Sequence, residues 1–287
     1  MNHQHTIAQL LHNQSFIELT ARERSRQLLD AGSWRELADP FAQLYSPWLG
    51  AQGIVAQADD GVVISKGLLA GKPVVVLAIE GGFQGGSMGE VGGAKLAGAL
   101  ELAADDNRHD IPTAAVLLLE TGGVRLQEAN LGLAAIADIH AAIVDLSRYQ
   151  PVIGVIAGTV GCFGGMSIAA GLCSYLVVTR EARLGLNGPQ VIEQEAGAEE
   201  YDSRDRPFIW SLSGGTQRQN CGLADACLPD DCSSIRAQLQ QYLAQGLPAM
   251  PRHQRHDWYL QRLAAIDTTQ QADADTARHF FLPERSA

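Results

Sequence analysis

Two glycine pairs, Gly122–Gly123 and Gly164–Gly165, are placed where a backbone can do chemistry. Each follows a short apolar run and precedes a helical pattern. Ala114–Leu119 leads into Glu120-Thr121-Gly122-Gly123, and Val152–Ala157 leads through Gly158 and Gly161 into Gly164–Gly165. The start of a helix leaves backbone N–H groups unpaired and carries a partial positive charge. Glycine lets a ligand come close to that bare backbone. Donors of this kind stabilise a developing oxyanion without any charged side chain. If the two strands are neighbours, the two turns face each other across one crevice and offer paired donors to a thioester or ester carbonyl. Gly164–Gly165 reads equally well as a place where a helix packs against a strand, and the residues alone leave both readings open.

Other reactive side chains give weaker patterns. Gly85-Gly86-Ser87-Met88-Gly89 matches the G-x-S-x-G nucleophile elbow in form. That motif needs its serine directly after a strand, and here several residues follow Ile79. Ser87 and Glu90 also have capping-box spacing, which predicts Ser87 as a helix N-cap. Glu120, Arg125 and Glu128 surround the first glycine pair, and Glu193 lies further on. Each can be a loop charge or a cap as well as an acid, a base or a clamp. His140 sits in an apolar helical run and reads as a core histidine. Arg252, His253, Arg255 and His256 form an exposed basic patch. Cys221, Cys227 and Cys232 match no zinc spacing, so they read as structural thiols and no metal is expected.

The elements that must position these residues alternate. Val62–Leu69 and Pro73–Ile79 read as a hairpin around Ala70-Gly71-Lys72. A helix is predicted from Ser87 to about Ala104, and another from about Leu126 to Arg148. Met166–Leu172 reads as a helix and Tyr175–Thr179 as a buried strand. Strands alternating with helices imply parallel pairing with helical crossovers. Pro189 marks a helix start. Residues 198–210 read as irregular, and helices follow at Ser213–Cys221, Ser233–Gln245, Trp258–Ile266 and Ala272–Phe280. Residues 1–50 read as helical and peripheral. In that region Arg22, Arg24 and Arg26 form a solvated face or a phosphate contact, and Trp34, Leu37, Phe41, Tyr45 and Trp48 are apolar anchors. The pattern is one domain over 1–287, with a core at about 50–230 and helical extensions at both ends.

The 287 residues are 46% hydrophobic, enough for a sizeable core. Lys and Arg number 21 against 32 Asp and Glu, a net charge of −11 that argues against nucleic-acid or anionic-membrane binding. The first residues, MNHQHTIAQLLHNQ, lack the pattern of a signal peptide, and no apolar run has the length of a membrane span. Five cysteines without a C-x-x-C fit a reducing compartment, so a cytoplasmic location is expected.

Four segments occur in a telling order: FQGGSMGEVGGAKL, ETGGVRLQEA, GCFGGMS and LGLNGPQVIEQ. Together they resemble the carboxyltransferase-like family of the crotonase superfamily, and the resemblance runs from about Ala21 to Gln194. It implies an α/β, crotonase-like (ClpP/crotonase) carboxyltransferase domain of repeated β-β-α units with helical termini. Within that family the chain is similar to the malonate decarboxylase beta subunits. The four-cysteine zinc ribbon of bacterial acetyl-CoA carboxylase beta subunits has no counterpart here.

The resemblance implies an oxyanion hole built from the backbone N–H groups of Gly122, Gly123, Gly164 and Gly165. It places Gly85, Gly86, Ser87 and Gly188 against the substrate. It implies that no cofactor is bound directly, the substrate arriving on the phosphopantetheine-type arm of an acyl carrier protein or on CoA. It further implies a gamma-type partner carrying half of the active site, an acyl carrier protein subunit and an acyltransferase alpha subunit. The competing readings are a carboxyltransferase subunit of a biotin-dependent system, a serine hydrolase using Ser87, and a non-catalytic structural subunit.

Overall fold

The computed structural model describes residues 13–39, 44–53, 61–267, 269 and 273–281. Phe41 as an anchor, a strand pattern beginning at Ile54 and a helix start at Ala272 fall outside the described residues. Among the described residues seven strands form one sheet in chain order: β1 Arg35–Ala38, β2 Val62–Leu69, β3 Lys72–Ile79, β4 Ala114–Leu118, β5 Val152–Ile156, β6 Tyr175–Thr179 and β7 Ala226–Leu228. β1, β2 and β3 pair antiparallel, and β3 through β7 pair parallel. The hairpin between β2 and β3 turns on two residues, because Ala70 (φ 52°) and Gly71 (φ 75°) both adopt positive φ and Lys72 already pairs.

Every residue of β4, β5 and β6 is buried. That burial explains their unbroken apolar sequences, since a parallel sheet is covered on both faces. Alternate residues feed two cores. Leu117 and Leu119 meet the helices α2 (Glu90–Arg108), α3 (Asn130–Leu146) and α4 (Gly165–Leu172). Val116 and Leu118 meet α1 (Ala21–Leu28) and α8 (Cys232–Gln245) on the opposite face.

Past the parallel strands, single residues pair again in a second ladder: Met88 with Val124, Thr121 with Cys162, and Cys162 with Leu184. The β-β-α unit expected from the sequence is therefore a long strand, a one-residue second strand and a helix. The helical termini are α1 at one end and α9 (His256–Ala264) with α10 (Ala274–Phe281) at the other. A clasp joins the ends of the fold. The Asp230 carboxylate accepts the backbone N–H groups of Phe16 (2.8 Å) and Ile17 (2.9 Å), and Cys232 N donates to Gln14 O (2.9 Å).

Several sequence expectations change. Residues 1–50 contain an edge strand, β1, and β7 also forms where no strand was expected. α2 runs on to Arg108, and its N-cap is Gly89, with no side-chain cap from Ser87. The predicted helix Leu126–Arg148 breaks at Ala129 (φ 43°), leaving a 3₁₀ turn at Leu126–Glu128 before α3. Within 198–210, Asp205 caps a helix, α6 (Arg206–Ser213), and α7 (Gly215–Asn220) follows it, with α5 (Pro189–Ala196) before. Arg24 is buried and donates to the carbonyls of Phe16 and Ile17, and Arg22 pairs with Glu36, so neither is a bare solvated charge. Arg252 donates to Leu223 O and pairs with Asp225, which removes it from any exposed basic patch.

Candidate active site

β4 and β5 are parallel neighbours, so their glycine turns leave the same edge of the sheet, where ligands of open α/β sheets bind. The turns bond directly to each other. Thr121 N donates to Gly161 O (2.8 Å) and Phe163 N to Thr121 O (3.0 Å). Gly123 and Gly164 lie back to back: a Cβ on Gly164 would stand 3.3 Å from Gly123 Cα.

The first turn is closed on itself. Gly122 N donates to Gly85 O (2.8 Å), and Gly123 N to Thr121 Oγ1 (3.1 Å). Gly86 fits so tightly over it that a Cβ there would lie 1.8 Å from Glu120 O. Arg125 and Glu128 then staple the preceding loop. Their side chains pair at 3.0 Å and are only 6% and 7% exposed. Glu128 Oε2 accepts Glu90 N (2.6 Å) at the start of α2. Arg125 donates to Ser87 O (3.0 Å) and Ser87 Oγ (3.3 Å). Glu128 is thus the cap that the sequence assigned to Ser87, because its carboxylate fills the space beside Gly89.

Glu120 ties the two turns together. It is buried, and its Oε1 accepts Gly158 N at 2.5 Å. Burial pushes its carboxyl group above the ordinary glutamate range, against the pull of the nearby Arg24 charge.

The second turn differs. Gly164 holds φ 59° and ψ −146°, a conformation essentially confined to glycine. Its N–H donates to Leu186 O (2.7 Å), and its carbonyl accepts both Ser167 N (3.0 Å) and Ser167 Oγ (2.7 Å). Gly165 opens α4. Its carbonyl lies 2.8 Å from His140 Nε2, and a carbonyl can only accept, so Nε2 carries the proton. Its N–H has no acceptor among the described residues. The next N–H, that of Met166, belongs to a residue with no exposed surface. Gly165 N–H is therefore an open donor at the start of α4.

Of the four glycines expected to supply donors, Gly122, Gly123 and Gly164 spend their N–H groups on internal carbonyl or hydroxyl oxygens, and Gly165 does not. The packing reading of the second pair also has support. A Cβ on Gly165 would meet Ile136 Cγ2 at 2.8 Å, so this glycine lets α3 approach α4. Gly85, Gly86 and Ser87 all lie against the first turn, and Gly188 starts α5 just past Leu186, which holds Gly164. All four sequence motifs thus converge on one place. Sequence reasoning treated His140 as a core residue, left Arg125 and Glu128 ambiguous and passed over Ser167.

The segments that form the turns carry exposed apolar side chains: Leu126 is 81% exposed and Leu186 62%, and Leu133 on α3, Ile168 on α4 and Val191 on α5 are exposed too. A cavity of about 710 Å³ lies elsewhere, between α2 on one side and Leu37, Ala38 and Leu44–Pro47 on the other, with Glu90 in its lining. Among the described residues no helix is long and apolar enough to cross a membrane.

Residues 15–258 match the carboxyl transferase domain family. The malonyl-S-ACP:biotin-protein carboxyltransferase of Malonomonas rubra is 40% identical over 236 residues, 79% of this chain and 74% of that protein. The structure is similar to a chain of a Pseudomonas malonate decarboxylase hetero-tetramer solved with malonate, with a TM-score of 0.90 and 70% identity over 96% of this chain and 100% of that one. It is also similar to a chain of the Pseudomonas malonate decarboxylase MdcD–MdcE hetero-dimer, with a TM-score of 0.74 and 62% identity over 87% of this chain and 96% of that one.

Proposed function

Since this chain belongs to the carboxyl transferase domain family, we propose that it is the beta subunit of a malonate decarboxylase, converting malonyl-acyl carrier protein to acetyl-acyl carrier protein and carbon dioxide. The carboxylate leaves by cleavage of its bond to C2. The electron pair stays behind as an enolate, the thioester oxygen gains negative charge, and C2 then takes a proton. A donor fixed on that oxygen binds the enolate more strongly than the neutral carbonyl, which is the differential binding that speeds the step. The observation that carries this reading is the open Gly165 N–H at the positive end of α4. Gly122, Gly123 and Gly164 shape the backbone around that donor. Gly85, Gly86, Ser87 and Gly188 form the walls beside the acyl thioester.

The chain acts as one domain over 1–287. A gamma-type subunit covers the turn, a role supported by the exposed Leu126 and Leu186 and by the hetero-oligomeric state of the similar structures. An acyl carrier protein delivers malonyl on its phosphopantetheine-type arm, loaded by an acyltransferase alpha subunit, and no cofactor is held by this chain itself. Its place is the cytoplasm, in keeping with free thiols at Cys162, Cys173, Cys221, Cys227 and Cys232.

The Malonomonas relative gives a second reading, transfer of the carboxyl group to biotin. The higher identity over a whole chain favours the decarboxylase. The test is release of labelled carbon dioxide from a malonyl thioester by the protein purified with its partners, with and without avidin. Release that avidin leaves unchanged, with acetyl thioester as product, is the expected result. Release blocked by avidin moves the assignment to the biotin-dependent carboxyltransferase. An intact complex that releases none overturns both in favour of a hydrolase or a structural subunit.

A further inference from the structure

Gly165 is gripped from both sides. The peptide unit that carries its N–H has the Gly164 carbonyl at its other end, and that oxygen accepts two hydrogen bonds from Ser167. The following peptide unit is held through the Gly165 carbonyl by His140. Ile136, one helical turn before His140 on α3, stands where a Gly165 Cβ would be. One face of α3 therefore supplies both a steric stop and a hydrogen bond to the same residue. Hydrogen bonds polarise their neighbours, so a peptide whose oxygen is already bonded donates more strongly through its nitrogen.

We propose that Ser167 and His140 are positioning residues for decarboxylation. Ser167 polarises and fixes the peptide that presents the Gly165 N–H to the enolate oxygen, and His140 stops that peptide from rotating by holding the next one. Neither side chain touches substrate. This inference rests on the enolate reading above and adds to it the two side chains that set the donor's direction.

The experiment compares wild type, His140→Leu, His140→Gln, Ser167→Ala and Ser167→Thr, each as the complex purified with its partners. Three readouts are taken: kcat and KM for carbon dioxide release, thermal unfolding, and exchange of acetyl-thioester methyl protons in heavy water. The exchange reports enolate formation whatever becomes of the carboxyl group. His140→Leu and Ser167→Ala are each expected to lower kcat and exchange about 10-fold with KM within about twofold, a milder loss than removal of an oxyanion donor. His140→Gln and Ser167→Thr keep a donor and are expected to recover most of the rate.

Wild-type rates in both donor-deleted variants overturn the proposal. So does a loss that appears only as a raised KM or a lowered melting temperature, or one that the donor-retaining variants do not rescue. If carbon dioxide release proves biotin-dependent but exchange still falls in the deleted variants, the proposal stands and the decarboxylase reading alone fails. Absence of exchange in wild type overturns both.

Discussion

The two glycine pairs look alike in sequence and differ in what one of their four N–H groups does. At the end of β4, Gly122 and Gly123 turn both N–H groups inward, and Gly86 seals the turn from above. At the end of β5, Gly164 is used internally while Gly165 keeps its N–H open at the start of α4. The first turn is a packing knot that sets position, and the second is the one that leaves a glycine N–H open. A glycine doublet after a strand thus marks a crowded backbone. Whether that crowding serves a ligand depends on which carbonyls lie opposite the N–H groups.

The comparison breaks most visibly at Gly86. Gly86→Ala places a methyl group inside the Glu120 carbonyl at a residue with φ 64°, so relief requires the first turn to come apart. The expected outcome is loss of cooperative unfolding, or a drop of about 3 kcal/mol or more, measured by urea denaturation of the complex. A variant with wild-type stability would show that the knot is looser than its contacts imply.

Gly164→Ala comes next. Here the added methyl presses on Gly123 Cα at 3.3 Å, a contact relieved by a shift of a few tenths of an ångström, and backbone strain adds about 1–3 kcal/mol. Because strain at Gly164 redirects the peptide that carries the Gly165 N–H, kcat should fall further than stability suggests. Normal turnover in a folded Gly164→Ala complex would remove the distinction between the turns. A valine at Gly164 or Gly165 is a poorer probe, since one position is strained and the other strikes Ile136.

The smallest effect concerns Glu120, which joins the turns. Burial raises its carboxyl pKa, so the folded chain holds that proton more tightly than the unfolded chain. Stability contributed by Glu120 is present in full at low pH and declines as pH rises from the ordinary glutamate range through the raised value. Glutamine does not titrate. Denaturation at stepped pH should therefore show Glu120→Gln gaining on wild type across that window, and a pH-independent difference would place the proton elsewhere.

Much of the fold was legible because its signals are local. β2 to β6 are apolar runs, and the order of the four motifs points to the family. β1 was missed because Arg35-Glu36-Leu37-Ala38 is charged and only alternately half-buried, and β7 because three residues carry no period. That Gly122–Gly123 and Gly164–Gly165 face each other was legible on the condition that β4 and β5 are neighbours, which they are, and Gly85–Ser87 and Gly188 were grouped with them through the family resemblance. The division of labour among their N–H groups was not, since it depends on partners distant in sequence. Glu128 capping α2 and His140 reaching Gly165 are the same kind of fact: long-range bonds that leave no spacing to read.

The clasp at Asp230 has a consequence for how the molecule is made. Each bridge of the second ladder joins a segment to one that follows soon after it, so the turns can dock in the order of synthesis. Arg24, a few residues on, holds the Phe16 and Ile17 carbonyls. Their N–H groups wait for the Asp230 carboxylate, which is added long after the glycine turns. The N-terminal segment can pack on β2 and β3 early, through Phe16 and Leu28, but its clasp closes only after the residues of the site have been made.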